Sequence, residues 1–221
     1  MGLTHSPRIA TDGLLFCVDA ANARSYPGTG TTWTDLVGGN NGTLTNMDAS
    51  NYSNDNRGAL SFDGTDELVT TSYNGGPTNY SIECIFSSDN TAASSSVVFG
   101  RGTLASQVGV TILINGGNLF FWVNGTSGQF QKTYSADEVI HLIVNSDGAA
   151  CINGEIENIS WTNHPNTVTW PSSSNYFFMG GTPETPFLKL SGKIFISRLY
   201  NKSLTNDEMR QNYLATKGRY T

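Results

Sequence analysis

Val108-Gly109-Val110-Thr111-Ile112-Leu113-Ile114-Asn115-Gly116-Gly117-Asn118-Leu119-Phe120-Phe121-Trp122-Val123 decides the fold. Two runs of β-branched, aliphatic and aromatic residues flank four turn formers, which is a strong hairpin signal. The same pattern continues outward. Val139–Val144 and Ala149–Ile152 lie on either side of Asn145-Ser146-Asp147-Gly148, and Asn153-Gly154 turns the chain into Glu155–Ser160. Asn-Gly suits a type I′ turn because both residues tolerate positive φ. The middle of the chain therefore reads as an antiparallel meander.

Further strands are predicted at Gly13–Val18, Ala59–Phe62, Glu67–Thr71, Tyr80–Phe86, Ser96–Phe99, Asn175–Met179 and Leu188–Tyr200. Neither face of the last run is cleanly apolar, so it is expected to be covered on both sides or bulged. One helix is legible. Thr205 and Glu208 form a capping box, Leu204 and Met209 a hydrophobic staple, and Lys217-Gly218 supplies the stop. Met209, Tyr213 and Leu214 are expected to form its docking face. Many short strands with one terminal helix predict a single all-β domain over residues 1–221, a sandwich of two antiparallel sheets. Residues 1–12 read as an N-terminal arm and 205–217 as the short C-terminal helix.

At 221 residues the chain is long enough for one large β domain. Charged residues make up 14%, against roughly 25% in ordinary soluble domains, so Ser, Thr, Asn and Gly carry the hydrophilicity. The net charge of −6, with no Lys/Arg cluster, argues against nucleic-acid and anionic-membrane partners. The N-terminus lacks the basic and apolar regions of a signal peptide. Cys17, Cys84 and Cys151 sit in apolar, strand-like runs without metal or redox spacing, which predicts buried free thiols and folding in a reducing cytoplasm.

Three segments together resemble the concanavalin A-like lectin/glucanase superfamily in its laminin-G-like branch. Ser61-Phe62-Asp63-Gly64-Thr65-Asp66-Glu67-Leu68-Val69 looks like that branch's strand–turn–strand. His141-Leu142-Ile143-Val144 with Cys151-Ile152-Asn153-Gly154-Glu155 is similar to its hairpin, and Gly192 through Leu204 to its closing strand. The resemblance implies a concanavalin A-like jelly roll. The opening stretch, with His5–Ile9 and Ser25-Tyr26-Pro27-Gly28 through Trp33-Thr34-Asp35-Leu36, looks like a subgroup recurrent in tailed-phage virion proteins, as does the end at Asn212–Tyr220. That implies a non-enzymatic virion protein, a capsid decoration or a tail- or fibre-associated protein. It would be made in the host cytoplasm, with other virion proteins and host-surface glycans as partners, and homo-oligomerisation is one option. A stand-alone lectin or host-receptor adhesin is the alternative, and a glycan hydrolase a third reading.

The candidate ligand-binding residues are aromatic. Tyr26 and Trp33 read either as a sugar-stacking platform or as a plug for one end of the sandwich, with the Trp N–H donating to a carbonyl. Trp161 and Trp170, near the polar Asn163-His164-Pro165-Asn166, are the better candidates for an exposed contact surface. Phe120-Phe121-Trp122 sends rings to both faces of a strand, so one face needs cover. Asp35 is expected to accept backbone N–H groups of the following turn. No cofactor is required. Laminin-G-like domains often hold calcium at a sandwich rim, which makes Asp63, Asp66 and Glu67 candidate ligands; the competing reading is that Asp63 braces its own turn. The paired strand carboxylates of the superfamily's glycosidases have no counterpart: Glu83 stands alone, and Glu155 and Glu157 follow a hairpin turn. His5, His141 and His164 lack zinc-site spacing.

Overall fold

A computed structural model describes residues 7–89, 95–103, 108–161, 167–171, 177–184 and 188–220. His5, His164, most of the Thr91–Ser96 and Pro171–Ser174 turns and Asn163–Asn166 lie outside the described residues. In chain order the strands are β1 (Leu14–Asp19), β2 (Thr32–Trp33), β3 (Gly42–Thr45), β4 (Tyr52–Ser53), β5 (Ala59–Asp63), β6 (Leu68–Thr71), β7 (Ser81–Ser88) and β8 (Ser96–Thr103). They continue with β9 (Val108–Asn115), β10 (Asn118–Val123), β11 (Thr126–Thr133), β12 (Ile140–Asn145), β13 (Ala149–Ile152), β14 (Glu155–Asn158), β15 (Ser160–Trp161), β16 (Phe178–Met179) and β17 (Ser191–Tyr200). The helix α1 (Asn206–Thr216) follows, then a 3-10 turn at Lys217–Arg219.

These strands form the two antiparallel sheets the sequence predicts. One sheet runs β14-β13-β12-β7-β17-β5-β4, with β1 also on β17; the other runs β15-β11-β10-β9-β8-β16-β6-β3-β2. The β9–β10 hairpin closes through Gly116 and Gly117 at φ +56° and +76°, the left-handed pair a tight two-residue turn requires. Its cross-strand pairs Ile112–Phe121 and Ile114–Leu119 face the space between the sheets. From the opposite sheet Ile82, Cys84, Phe86, Leu142 and Val144 meet them. Strand alternation makes this one core.

Three details differ from the sequence reading. Glu155–Ser160 is not one strand: β14 edges one sheet and β15 edges the other, and the buried Ile159 anchors the crossing. β11 carries no alternating apolar signal, because its sequence is polar and Phe130 is its anchor in the core. Leu214 is 44% exposed rather than docked. At about 100° per residue it lies about 140° from Met209, whereas Asn212 stays near the buried face. The helix therefore buries Met209 and Asn212. Its capping box forms as predicted: Glu208 N donates to Thr205 Oγ1 (3.3 Å) and Thr205 N to Glu208 Oε2 (2.9 Å).

Candidate functional site

The expected irregularity in the last strand is a bulge, and it builds the site. β17 breaks register between Ile194 and Ile196 against β7. Ile194 faces the core, but the bulge inverts the alternation, so Leu199 turns inward and Arg198 and Tyr200 outward beneath α1. There Glu83 of β7 is fully buried and fully engaged. Arg198 Nη1 donates to its Oε1, and His141 Nε2 lies 2.9 Å from the same oxygen. Asn212 Nδ2 (2.8 Å) and the Tyr200 hydroxyl (3.3 Å) donate to Oε2. Asn212 Oδ1 in turn accepts from Ala10 N at 2.7 Å, which fastens the N-terminal arm. Burial pushes the Glu83 carboxyl up, but Arg198, His141 and Asn212 outweigh it and hold it well below the usual range. Glu83 is thus a structural anion at neutral pH, committed on both oxygens.

Beside this network, between the arm, β1, β17 and the C-terminal segment, lies an open cavity of about 700 Å³. That is within the size range of small-ligand sites, roughly 300–1,000 Å³. Four arginines line it: Arg8, Arg57, Arg198 and Arg219. Asp19 is its acidic lining residue, and Arg219 holds it with two bonds, 2.9 and 3.0 Å. Arg219 Nε also donates to the Asn56 carbonyl (3.0 Å). Ile9 and Leu214 give the cavity apolar wall.

The sequence-predicted residues fall elsewhere. Tyr26 and Trp33 are core residues, 1% and 0% exposed, which corrects the platform reading: neither ring is open to a sugar. The Tyr26 hydroxyl donates to the Gly30 carbonyl (3.0 Å) and its ring meets Tyr52. Trp33 Nε1, expected to donate to a carbonyl, meets no hydrogen-bond partner among the described residues. Trp161 and Trp170 are half-buried against the core rather than free contact rings. Trp170 donates from Nε1 to the Pro77 carbonyl (3.0 Å), packs edge-on to Tyr80, and takes the Arg101 guanidinium over its face. Trp161 packs edge-on to Phe121. Of the Phe120–Trp122 triplet, Phe121 enters the core while Phe120 and Trp122 are half-buried on the other face of β10.

Asp35 does what its position predicts. Oδ1 accepts from Cys17 N and Val37 N, and Oδ2 from Gly38 N and Asn40 N, all at 2.9–3.0 Å. Asp63, Asp66 and Glu67 do meet, with ligand atoms within 4.8 Å of one another. Each also has protein partners. Asp63 accepts from Thr65 N, Asp66 from Asn46 Nδ2, and Glu67 from Asp63 N and Asn51 Nδ2. Burial raises the Glu67 carboxyl. The cysteines are buried free thiols, and burial pushes Cys151 up to about 11. Sequence reasoning missed the arginine-lined cavity, since its members are scattered from Arg8 to Arg219 and only the fold gathers them.

No family model matches this sequence, and no curated protein does. The fold recurs in solved structures. Trypanosoma rangeli sialidase in complex with sialic acid aligns with a TM-score of 0.68 at 14% identity, over 96% of this chain and 34% of that one. The same sialidase with the inhibitor DANA aligns at 0.68 and 14%, over 99% and 36%. The botulinum neurotoxin serotype D binding domain aligns at 0.66 and 13%, over 91% and 51%. The chain thus spans about a third of the sialidases and about half of the toxin domain. At such identities the likeness is one of fold, a two-sheet β sandwich.

This comparison corrects the expected function. The similar structures named above are sialidases and a neurotoxin binding domain, and none of them is a phage virion protein. The physical reason lies in the segments that suggested it. Tyr26, Trp33 and Asp35 are buried and serve the packing and hydrogen bonding of this domain's own core and loop, so they carry no sign of a virion partner.

Proposed function

We propose that this chain is a non-catalytic, carbohydrate-binding module of the concanavalin A-like, laminin-G-like type, with glycans as its partners and no required cofactor. The sandwich it shares with a toxin binding domain and with part of a sialidase supports a binding role. One observation carries the non-catalytic half. In most glycosidases, sialidases with their tyrosine nucleophile excepted, hydrolysis needs two free carboxyl groups facing each other across a cleft. The cavity's carboxylate, Asp19, is clamped by Arg219, and Glu83 behind it is spent on Arg198, His141, Tyr200 and Asn212. Glu155 and Glu157 sit on the edge strand β14. An array of neutral and acidic glycans probed with the whole chain is expected to show selective binding. Uniform absence of binding would overturn the proposal.

A further inference from the structure

The geometry points to the arginine-lined cavity as a site for a sugar acid, a pyranose that carries a carboxylate; this rests on the carbohydrate-binding reading above. Two of its four arginines are already neutralised, Arg198 by Glu83 and Arg219 by Asp19. The guanidinium groups of Arg8 and Arg57 are exposed and meet no partner among the described residues. Among the described residues, two charges without a counter-ion therefore face one cavity, on a chain of net charge −6. The end of α1 also borders the cavity, but a helix C-terminus offers only roughly half a negative charge. Thr216 Oγ1 further donates to the Asn212 and Tyr213 carbonyls there. The local field stays positive, and a concave site concentrates it.

Two further features show a built site. Arg198, 4% exposed, lines the cavity, and its Nε has no hydrogen-bond partner among the described residues. Arg57 is held in a left-handed backbone conformation, φ +73°, directly after Asn56 at +48°. Such strain persists only where surroundings over-determine it. Here Arg219 grips the Asn56 carbonyl, and Gly58 sits so close to the Ala20 carbonyl that a Cβ would lie 2.6 Å from it. The side chain of Arg57 is thereby presented to the cavity by a fixed turn. Guanidinium forks match a carboxylate in two-point geometry. Ile9 and Leu214 offer apolar contact to the face of a ring, which a bare inorganic ion would leave unused.

The test is a titration of the whole chain, followed by NMR, with methyl glucuronide, with the uncharged methyl glucoside, and with inorganic phosphate. Arg8→Gln, Arg57→Gln and the remote Trp122→Ala are compared, with thermal melts confirming that each folds. The sugar acid is expected to bind, to weaken as salt rises, and to lose at least about tenfold in affinity in either arginine variant but not in Trp122→Ala. Equal binding of the neutral glycoside, unaffected by the arginine variants, overturns the site while leaving the carbohydrate reading intact. Arginine-dependent binding of phosphate alone overturns the sugar-acid assignment. Binding of none of the three overturns the site, and the glycan array then decides the wider reading on its own.

Discussion

Arg198 and Glu83 stand opposite each other in the β17–β7 register, and the guanidinium Nη1 donates to the carboxylate Oε1 with both side chains out of solvent. The pair joins the bulged strand to the helix through Asn212 and to the arm through Ala10. Arg198 also lines the arginine-lined cavity, with Glu83 behind it. The contact that ties strand, helix and arm together therefore adjoins the cavity proposed as a sugar-acid site.

Glu83→Gln leaves Arg198 buried without its counter-charge. Removing one partner of a buried pair typically costs about 3–5 kcal/mol. Urea unfolding of the variant is expected to show a loss of that order, and a loss below about 1 kcal/mol contradicts the structural role assigned to the pair.

The same carboxylate sets an acid limit. Its folded pKa is lowered from the ordinary 4.5 to about 2, chiefly because Arg198 and His141 overcome the effect of burial. The stabilisation is fully present above the unfolded value and is lost as pH falls through the folded one. Urea midpoints should fall steeply between about pH 4.5 and pH 2, and less steeply in Glu83→Gln. Parallel curves for the two proteins would place the acid sensitivity elsewhere.

Much of this fold was legible because its strands are short apolar runs bounded by Asn-Gly and Asp-Gly turns, and because Thr205 and Glu208 mark the helix start without ambiguity. The β14–β15 crossing was not, since a chain that changes sheets keeps its polar pattern. Leu214 misled for a related reason: apolar identity suggested burial, while helix phase put Asn212 inside. The candidate aromatics illustrate a further limit. Trp33 and Trp170 look alike in sequence as rings within polar stretches, yet one closes the core and the other is half-buried under Arg101. Residues such as Arg8, Arg57 and Arg219 carry no motif at all, and register and packing alone bring them together.

Asp35→Ala should be costly although the residue lies in a loop. Four backbone N–H donors, from Cys17, Val37, Gly38 and Asn40, lose their acceptor. Bonds to a charged acceptor contribute about 1.5–3 kcal/mol each, and water recovers part of that, so a net loss of about 2–4 kcal/mol is expected by denaturant unfolding. Asp35→Asn, which keeps one acceptor oxygen, should lose less. Wild-type stability in Asp35→Ala would remove this residue from the account of how the loop is held.

Calcium is expected to leave the protein unchanged. Asp63, Asp66 and Glu67 already accept hydrogen bonds within the fold, and Glu67 is buried, which disfavours its charged form. A thermal melt with millimolar Ca²⁺ should match one with EDTA. A ligand at a hundred times its Kd adds about 2.7 kcal/mol, which for a chain of this size is a rise of roughly 5–10 °C. A rise of that size, reversed by EDTA, would establish a metal site at this turn.

The central claim is that the chain binds glycans without cleaving them. Saturation-transfer NMR on a mixture of sialylated and neutral oligosaccharides reads both properties in one tube over a day. Transfer to at least one glycan, with every oligosaccharide spectrum unchanged at the end, is the predicted result. Released monosaccharide that depends on the protein, or no transfer to any glycan, would contradict it.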